Sequence, residues 1–208
     1  MKAESGSPLQ RGRKRSEESR QAILAASLEL LAAHGYGGLT IEAIAARAGT
    51  GKQTIYRWWP SKAAVVLEAL NADVSLLVAV PQAGTARERL AGFLRETFAG
   101  VTRQPEIAAI LRALMAAAQL DPDFGRQFDA EFLARRRALL RDLLRALLDE
   151  EERVATVDEE LLVDVVFGTL WYRLLRPGGR FGPRVADELL AVVTASTSLR
   201  EEPGDGGA

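Results

Sequence analysis

The sequence predicts an all-α protein of about nine helices. Three observations carry that expectation. Apolar residues recur at spacings of three and four along every extended segment. No segment sustains the period-two alternation of a half-buried strand, so no strands are assigned. Glycine, proline and good cap residues stand at the ends of the periodic runs.

The elements follow in order. Residues 1–15 carry Gly6, Pro8, Gly12 and the cluster Arg11, Arg13, Lys14 and Arg15 without periodicity, and are expected to form a flexible basic arm. Ser16 then caps a first helix, with Glu17 and Glu18 favouring the positive end of its dipole. Ile23, Leu24, Leu28, Leu30 and Leu31 form its apolar stripe, and Gly35 ends it after His34, whose ring can partner the terminal carbonyls. Thr40 caps a second helix over residues 41–48, which Gly49 closes. A third covers residues 51–58, ahead of Pro60. Ser61 caps a fourth, which runs through Val66, Leu70, Val74 and Leu77 to Pro81. Helical spacing resumes over residues 85–102, 105–119, 123–151, 158–176 and 183–198, and residues 201–208 read as a disordered tail.

Composition narrows the function. The 208 residues include no cysteine and one histidine, so disulfides, thiolate metal sites, zinc sites and catalytic triads lack their parts. No cofactor, metal or enzymatic activity is expected. The longest apolar-leaning run, Val165 to Tyr172, is far short of the roughly 20 residues of a membrane helix. The N-terminus has no apolar core of a secretory signal. A cytoplasmic protein without membrane contact is the expectation. The net charge of -1 hides an asymmetry: residues 1–62 carry ten Lys/Arg against five Asp/Glu, and residues 63–208 carry 17 against 23. A basic module is followed by an acidic one.

The basic module holds the most informative stretch. Two helices crossing steeply need a small residue at the contact, a turn residue tolerant of positive φ, and an apolar residue packing back. Ala45, Gly49 and Ile55 meet those needs at helix-turn-helix spacing, with Ile41, Ile44 and Ala48 on the same buried side. Lys52, Gln53, Thr54, Tyr56 and Arg57 are left to face outward, and all can contact phosphate or base edges. Lys62 is an oddity: a cation in the first turn of a helix opposes the dipole unless an anion is near. A phosphate-loop reading of residues 49–54 fails, because Ala46 replaces the first glycine, Gln53 replaces Ser or Thr, and a helix precedes.

The run Thr40-Ile41-Glu42-Ala43-Ile44-Ala45-Ala46-Arg47-Ala48-Gly49, followed by Lys52-Gln53-Thr54-Ile55-Tyr56-Arg57-Trp58-Trp59-Pro60-Ser61-Lys62, resembles the TetR family of transcriptional regulators. The resemblance covers residues 16–70. Gly51 and Gln53 depart from the serine and glycine common in the family, which leaves the operator sequence open. The resemblance implies a three-helix helix-turn-helix DNA-binding domain over residues 16–62 and a helical ligand-binding and dimerisation domain over 63–200. It implies that Thr40, Lys52, Thr54, Tyr56 and Lys62 contact the DNA backbone or flanking groove, and that Gln53 and Arg57 read base edges. It also implies that Arg13, Lys14 and Arg15 reach toward DNA.

Implied partners are palindromic double-stranded DNA, a second copy of the chain and a small-molecule effector. The apolar arc of residues 161–175 is too wide for one-sided packing, and a homodimer interface through Leu161, Val165, Val166, Gly168, Leu189 and Val193 would account for it. Phe93, Phe98, Leu114, Met115, Phe124, Phe128, Phe132 and Trp171 are candidates for an effector pocket, whose apolar character points to an apolar or amphipathic compound. Residues 135–137, three arginines, read as a solvated helix face. Two other readings compete: a regulator controlled by a protein partner, with a fully packed core, and a helical enzyme with an incidental basic N-terminus.

Overall fold

The structure, a computed structural model, describes residues 8–73 and 80–200, with residues 8–15 as backbone only. Its helices are α1 (Pro8–Gly38), α2 (Ile41–Arg47), α3 (Lys52–Tyr56), α4 (Lys62–Ala72), α5 (Ala86–Arg103), α6 (Pro105–Leu120), α7 (Pro122–Phe128), α8 (Ala134–Glu150), α9 (Glu159–Leu175) and α10 (Pro183–Ala195). A π-helical turn, Asp129–Leu133, joins α7 to α8. Two short strands, β1 (Arg153–Ala155) and β2 (Thr197–Leu199), pair antiparallel with Val154 opposite Ser198.

The structure differs from the sequence expectation at several points. Helix α1 starts at Pro8, not after Ser16. Proline suits a first helical position, having a preset φ and no N–H to lose, and the residues after it are mostly good helix formers. The expected arm is therefore helical from residue 8. Helix α4 stops at Ala72, where Asp73 turns extended, so the fourth helix does not run on unbroken to Pro81. Residues 1–7, the side chains of Arg13, Lys14 and Arg15, residues 74–79 with Val74 and Leu77 among them, and the tail over 201–208 lie outside the described residues. The helix expected over 123–151 is interrupted by the π turn, whose single extra residue a periodicity averaged over several turns does not resolve. The strands went unassigned because three residues are too few to show alternation, and β2 takes the end of the expected last helix.

The domain border differs as well. The described residues of Met1–Val74 cluster with Ala109–Phe132, and those of Ser75–Ala108 cluster with Leu133–Ala208. Within the first unit α1 packs on α2 and α4, α2 on α3, and α4 on α7. Helix α4 cannot be parted from the helix-turn-helix, because Val66, Leu67 and Leu70 are fully buried in the same core as Ile23, Leu31 and Ile55.

In the second unit α5 packs on α8 and α10, and α8 on α9 and β1. Thr85 and Glu88 form a reciprocal capping box at the start of α5. Arg87 then forks onto both carboxylate oxygens of Glu151, at 2.7 and 2.8 Å. Helices α8 and α9 are laced by arginines. Arg137 donates to Asp164 at 2.6 Å and to Glu160 at 2.8 Å, Arg141 also donates to Glu160, and Arg145 reaches Glu159 at 2.8 Å. This corrects the solvated reading for Arg136 and Arg137, while Arg135 is exposed as expected. Arg137 is an inter-helix tie, and Arg136 is half-buried, its guanidinium pushed down to about 10 by desolvation.

Candidate nucleic-acid interface

Local chemistry builds the helix-turn-helix. Thr40 is extended and accepts a hydrogen bond from the Ala43 amide at 3.1 Å, starting α2. At the other end Gly49 takes φ +64°, the Gly49 amide donates to the Ala46 carbonyl at 3.3 Å, and the Thr50 amide donates to that of Ala45 at 2.9 Å. This pair of bonds is the Schellman closure, which places glycine where a side chain would be strained. Ala45 and Ile55 are buried where α2 and α3 meet.

Burying Ile55 turns the rest of α3 outward. Lys52, Gln53, Tyr56 and Arg57 are exposed and Thr54 is half-buried. The Lys52 ammonium bonds the Glu42 carboxylate at 2.9 Å, which raises the lysine pKa and lowers that of the glutamate. Arg47 is likewise paired with Glu29 at 2.6 Å. The Arg57 guanidinium lies 5.5 Å from the centroid of the Trp58 ring, so a flat donor is stacked beside α3 in open solvent.

Lys62 answers its own oddity in part. Ser61 caps α4 by accepting from the Ala64 amide at 3.2 Å. The Lys62 ammonium turns back and donates to the Tyr36 carbonyl near the end of α1 at 2.8 Å, with the Tyr36 ring 4.1 Å away. Desolvation lowers the lysine pKa, and the nearby Asp121 carboxylate opposes that shift. Desolvation, with Asp121 adding to it, pushes the Tyr36 phenol up to about 12. The cation thus rests on one backbone carbonyl and one aromatic face, just past the break that Gly35 makes in α1.

Two partners in this unit went unread in the sequence. Glu42 stands beside the surface that faces DNA in the predicted scheme. Glu68 on α4 accepts from the Trp59 indole at 2.6 Å and from Arg20 of α1. A nearly buried tryptophan needs an acceptor for its N–H, so Trp59 was the available signal.

The eight candidate pocket residues divide. Leu114, Met115, Phe124, Phe128 and Phe132 belong to the first unit, and Phe93, Phe98 and Trp171 to the second. Phe124, Phe128 and Phe132 are buried and stacked in series, with centroid spacings of 5.9 and 5.3 Å. Phe98 faces Phe181 at 6.5 Å, and Trp171 is half-buried.

The interface candidates divide as well. Val166, Leu189 and Val193 are buried in the core of their own unit, which corrects their placement on a partner-facing surface. The arc of α9 is wide because its inner side fills that core. On the outer side Leu161 is 51% exposed, Tyr172 63% and Leu175 59%, with half-buried Val165 and exposed Gly168 between them. Val192 on α10 is also exposed.

Among the described residues no helix is long and apolar enough to cross a membrane, and no group of three or more acidic or histidine side chains is placed to hold a metal ion.

The fold and the outward face of α3 define a helix-turn-helix protein. Residues 23–69 match the family described as bacterial regulatory proteins, tetR family, and residues 80–193 match the tetracyclin repressor-like C-terminal domain. The chain is 30% identical to the HTH-type transcriptional regulator YdeS of Bacillus subtilis, over 81% of this chain and 84% of that one. It is 31% identical to the DNA-binding transcriptional repressor TetR of Mycobacteroides abscessus, over 86% and 95%. The crystal structure of the TetR family regulator SCO0332 superposes with a TM-score of 0.65 at 33% identity, covering 85% of this chain and 97% of that one. The chain belongs to the TetR family and is a DNA-binding transcriptional regulator.

Proposed function

We propose that the protein is a repressor acting in the cytoplasm, which binds palindromic operator DNA as a homodimer and is released by a small apolar or amphipathic ligand. The observation that carries the DNA half is the division of α3 and its C-terminal cap residue, with Ile55 buried and Lys52, Gln53, Tyr56 and the cap residue Arg57 exposed. Phosphate contacts fall to Thr40, Lys52, Thr54, Tyr56 and Lys62, and base readout to Gln53 and Arg57. The similarity to the Mycobacteroides repressor supports repression.

Dimerisation is supported by the outer stripe of α9. Leu161, Val165, Gly168, Tyr172 and Leu175 follow one another at steps of four and three, the spacing of a seam that a second helix can follow. Two copies would set recognition helices about 34–36 Å apart, one turn of DNA. The apolar candidates Phe93, Phe98 and Trp171 support an apolar effector.

Selection of duplexes from a random library tests the core of this reading. An inverted repeat with half-site centres about 10 base pairs apart is expected. Recovery of single, unpaired half-sites would overturn the dimeric scheme. A thermal-shift panel of fatty acids, hydrophobic amines and steroids tests the effector, with displacement from the selected duplex as the second readout. Displacement only by a protein fraction would favour control by a partner.

A further inference from the structure

Phe124 has a position that packing alone does not exhaust. Its ring stacks on Tyr36 with centroids 4.2 Å apart, and the opposite end of the same ladder continues to Phe128 and Phe132. Tyr36 in turn carries the Lys62 ammonium on its ring and its carbonyl. Three elements of one unit thus meet at a single aromatic ring: the end of α1, the first residue of α4 and the first turn of α7.

The α7 side of this junction is held firmly. Asp121 caps α7 by accepting from the amides of Asp123 at 3.1 Å and Phe124 at 3.0 Å. Gly125 lies so close to α6 that a Cβ there would come within 2.8 Å of the Ala118 carbonyl oxygen. Phe124 is 2% exposed, so it presents one face to Tyr36 and cannot swing away. A lysine ammonium has three N–H donors. One is spent on the Tyr36 carbonyl and the ring face takes the charge, which leaves the group oriented with donor capacity for a phosphate oxygen.

We infer that Phe124 is a positioning residue for DNA binding: by stacking on Tyr36 it holds the Lys62 ammonium at the α1–α4 junction, ready for the DNA backbone. The inference rests on the reading of Lys62 as a phosphate contact. Its physical content is preorganisation. A long lysine chain otherwise loses rotamer freedom on binding, and the aromatic shelf removes that loss beforehand.

The experiment uses the full chain and a duplex selected by the unsubstituted protein, with affinity read by fluorescence anisotropy across a salt series. Phe124→Leu is expected to weaken binding about fivefold. Phe128→Leu, equally buried but away from Tyr36, should lower the melting temperature comparably and change affinity less than about twofold. In a Lys62→Ala background the further loss from Phe124→Leu should vanish, because the group it positions is gone. Phe124→Met is the second variant should the leucine form not fold.

Affinity unchanged by Phe124→Leu, a loss matched by Phe128→Leu, or a loss that persists in the Lys62→Ala background would each overturn the inference while leaving Lys62 as a contact. A Lys62→Ala protein with wild-type affinity and salt dependence would overturn the Lys62 reading, and the positioning role with it.

Discussion

In the proposed recognition scheme Arg57 and Glu42 act in opposite directions. Arg57 lies just past α3 with its guanidinium stacked over Trp58, an arrangement that lets a planar fork meet the edge of a guanine. Arg57→Ala should relax the preference at one base pair of each half-site, a loss of about 1–3 kcal/mol, and selection from random DNA should show it. An unchanged consensus would remove Arg57 from base readout. Glu42 works the other way. It occupies the Lys52 ammonium at 2.9 Å, so a phosphate must displace a carboxylate before that lysine can serve DNA. Glu42→Gln should tighten DNA binding, more at low salt than at high salt, because the competing charge is exposed and screened. Weaker binding by the Gln variant in a salt titration would show that Glu42 itself contacts the DNA.

At the scale of elements, caps and closures were readable while ties across elements were not. Thr40, Gly49, Ser61 and Thr85 stand where the sequence predicts helix ends, since a cap depends on residues within four positions of it. The bond from Glu68 to Trp59 and the seat of Lys62 on Tyr36 join residues far apart in sequence, and no local pattern announces them. The lacing of α8 to α9 makes a prediction about acid. Hydrogen bonds from Arg137 first, then Arg141, hold the Glu160 carboxyl below its ordinary range. A carboxylate with a lowered folded pKa adds stability that is whole above its unfolded value, about 4.3, and is lost as pH falls through the folded value. Glu160→Gln should therefore lower the melting temperature at neutral pH and converge on the unsubstituted chain in acid, which flattens the acid limb. An acid limb as steep as that of the unsubstituted chain would show that other carboxylates set it.

The whole molecule poses the question of what covers α9. An outer stripe that includes Leu161, Tyr172 and Leu175 is a large apolar exposure for one helix of a monomer. Leu161→Glu combined with Leu175→Glu should give a monomer in sedimentation velocity at micromolar concentration. Affinity for a full palindrome should fall toward that for a half-site. A double variant that still sediments as a dimer would move the interface elsewhere. Net charge belongs to this scale too: the sum of -1 conceals the basic first 62 residues, and steering toward DNA depends on where charge lies and not on its total.

By itself the sequence determined the helical class, the ends of most helices, the Schellman turn between α2 and α3, and the outward set Lys52, Gln53, Tyr56 and Arg57. These follow from backbone chemistry and periodicity within a few residues. Tertiary structure decided which residues of the apolar arc on α9 and α10 are spent on the chain's own core, so that Val166, Leu189 and Val193 are buried while Leu161 and Tyr172 stay outside. It also decided that α4 and α7 share a core with the helix-turn-helix, and that the cation of Lys62 rests on Tyr36. Periodicity shows that a helix has an apolar side. Only the neighbours that arrive from distant sequence decide how much of that side they cover.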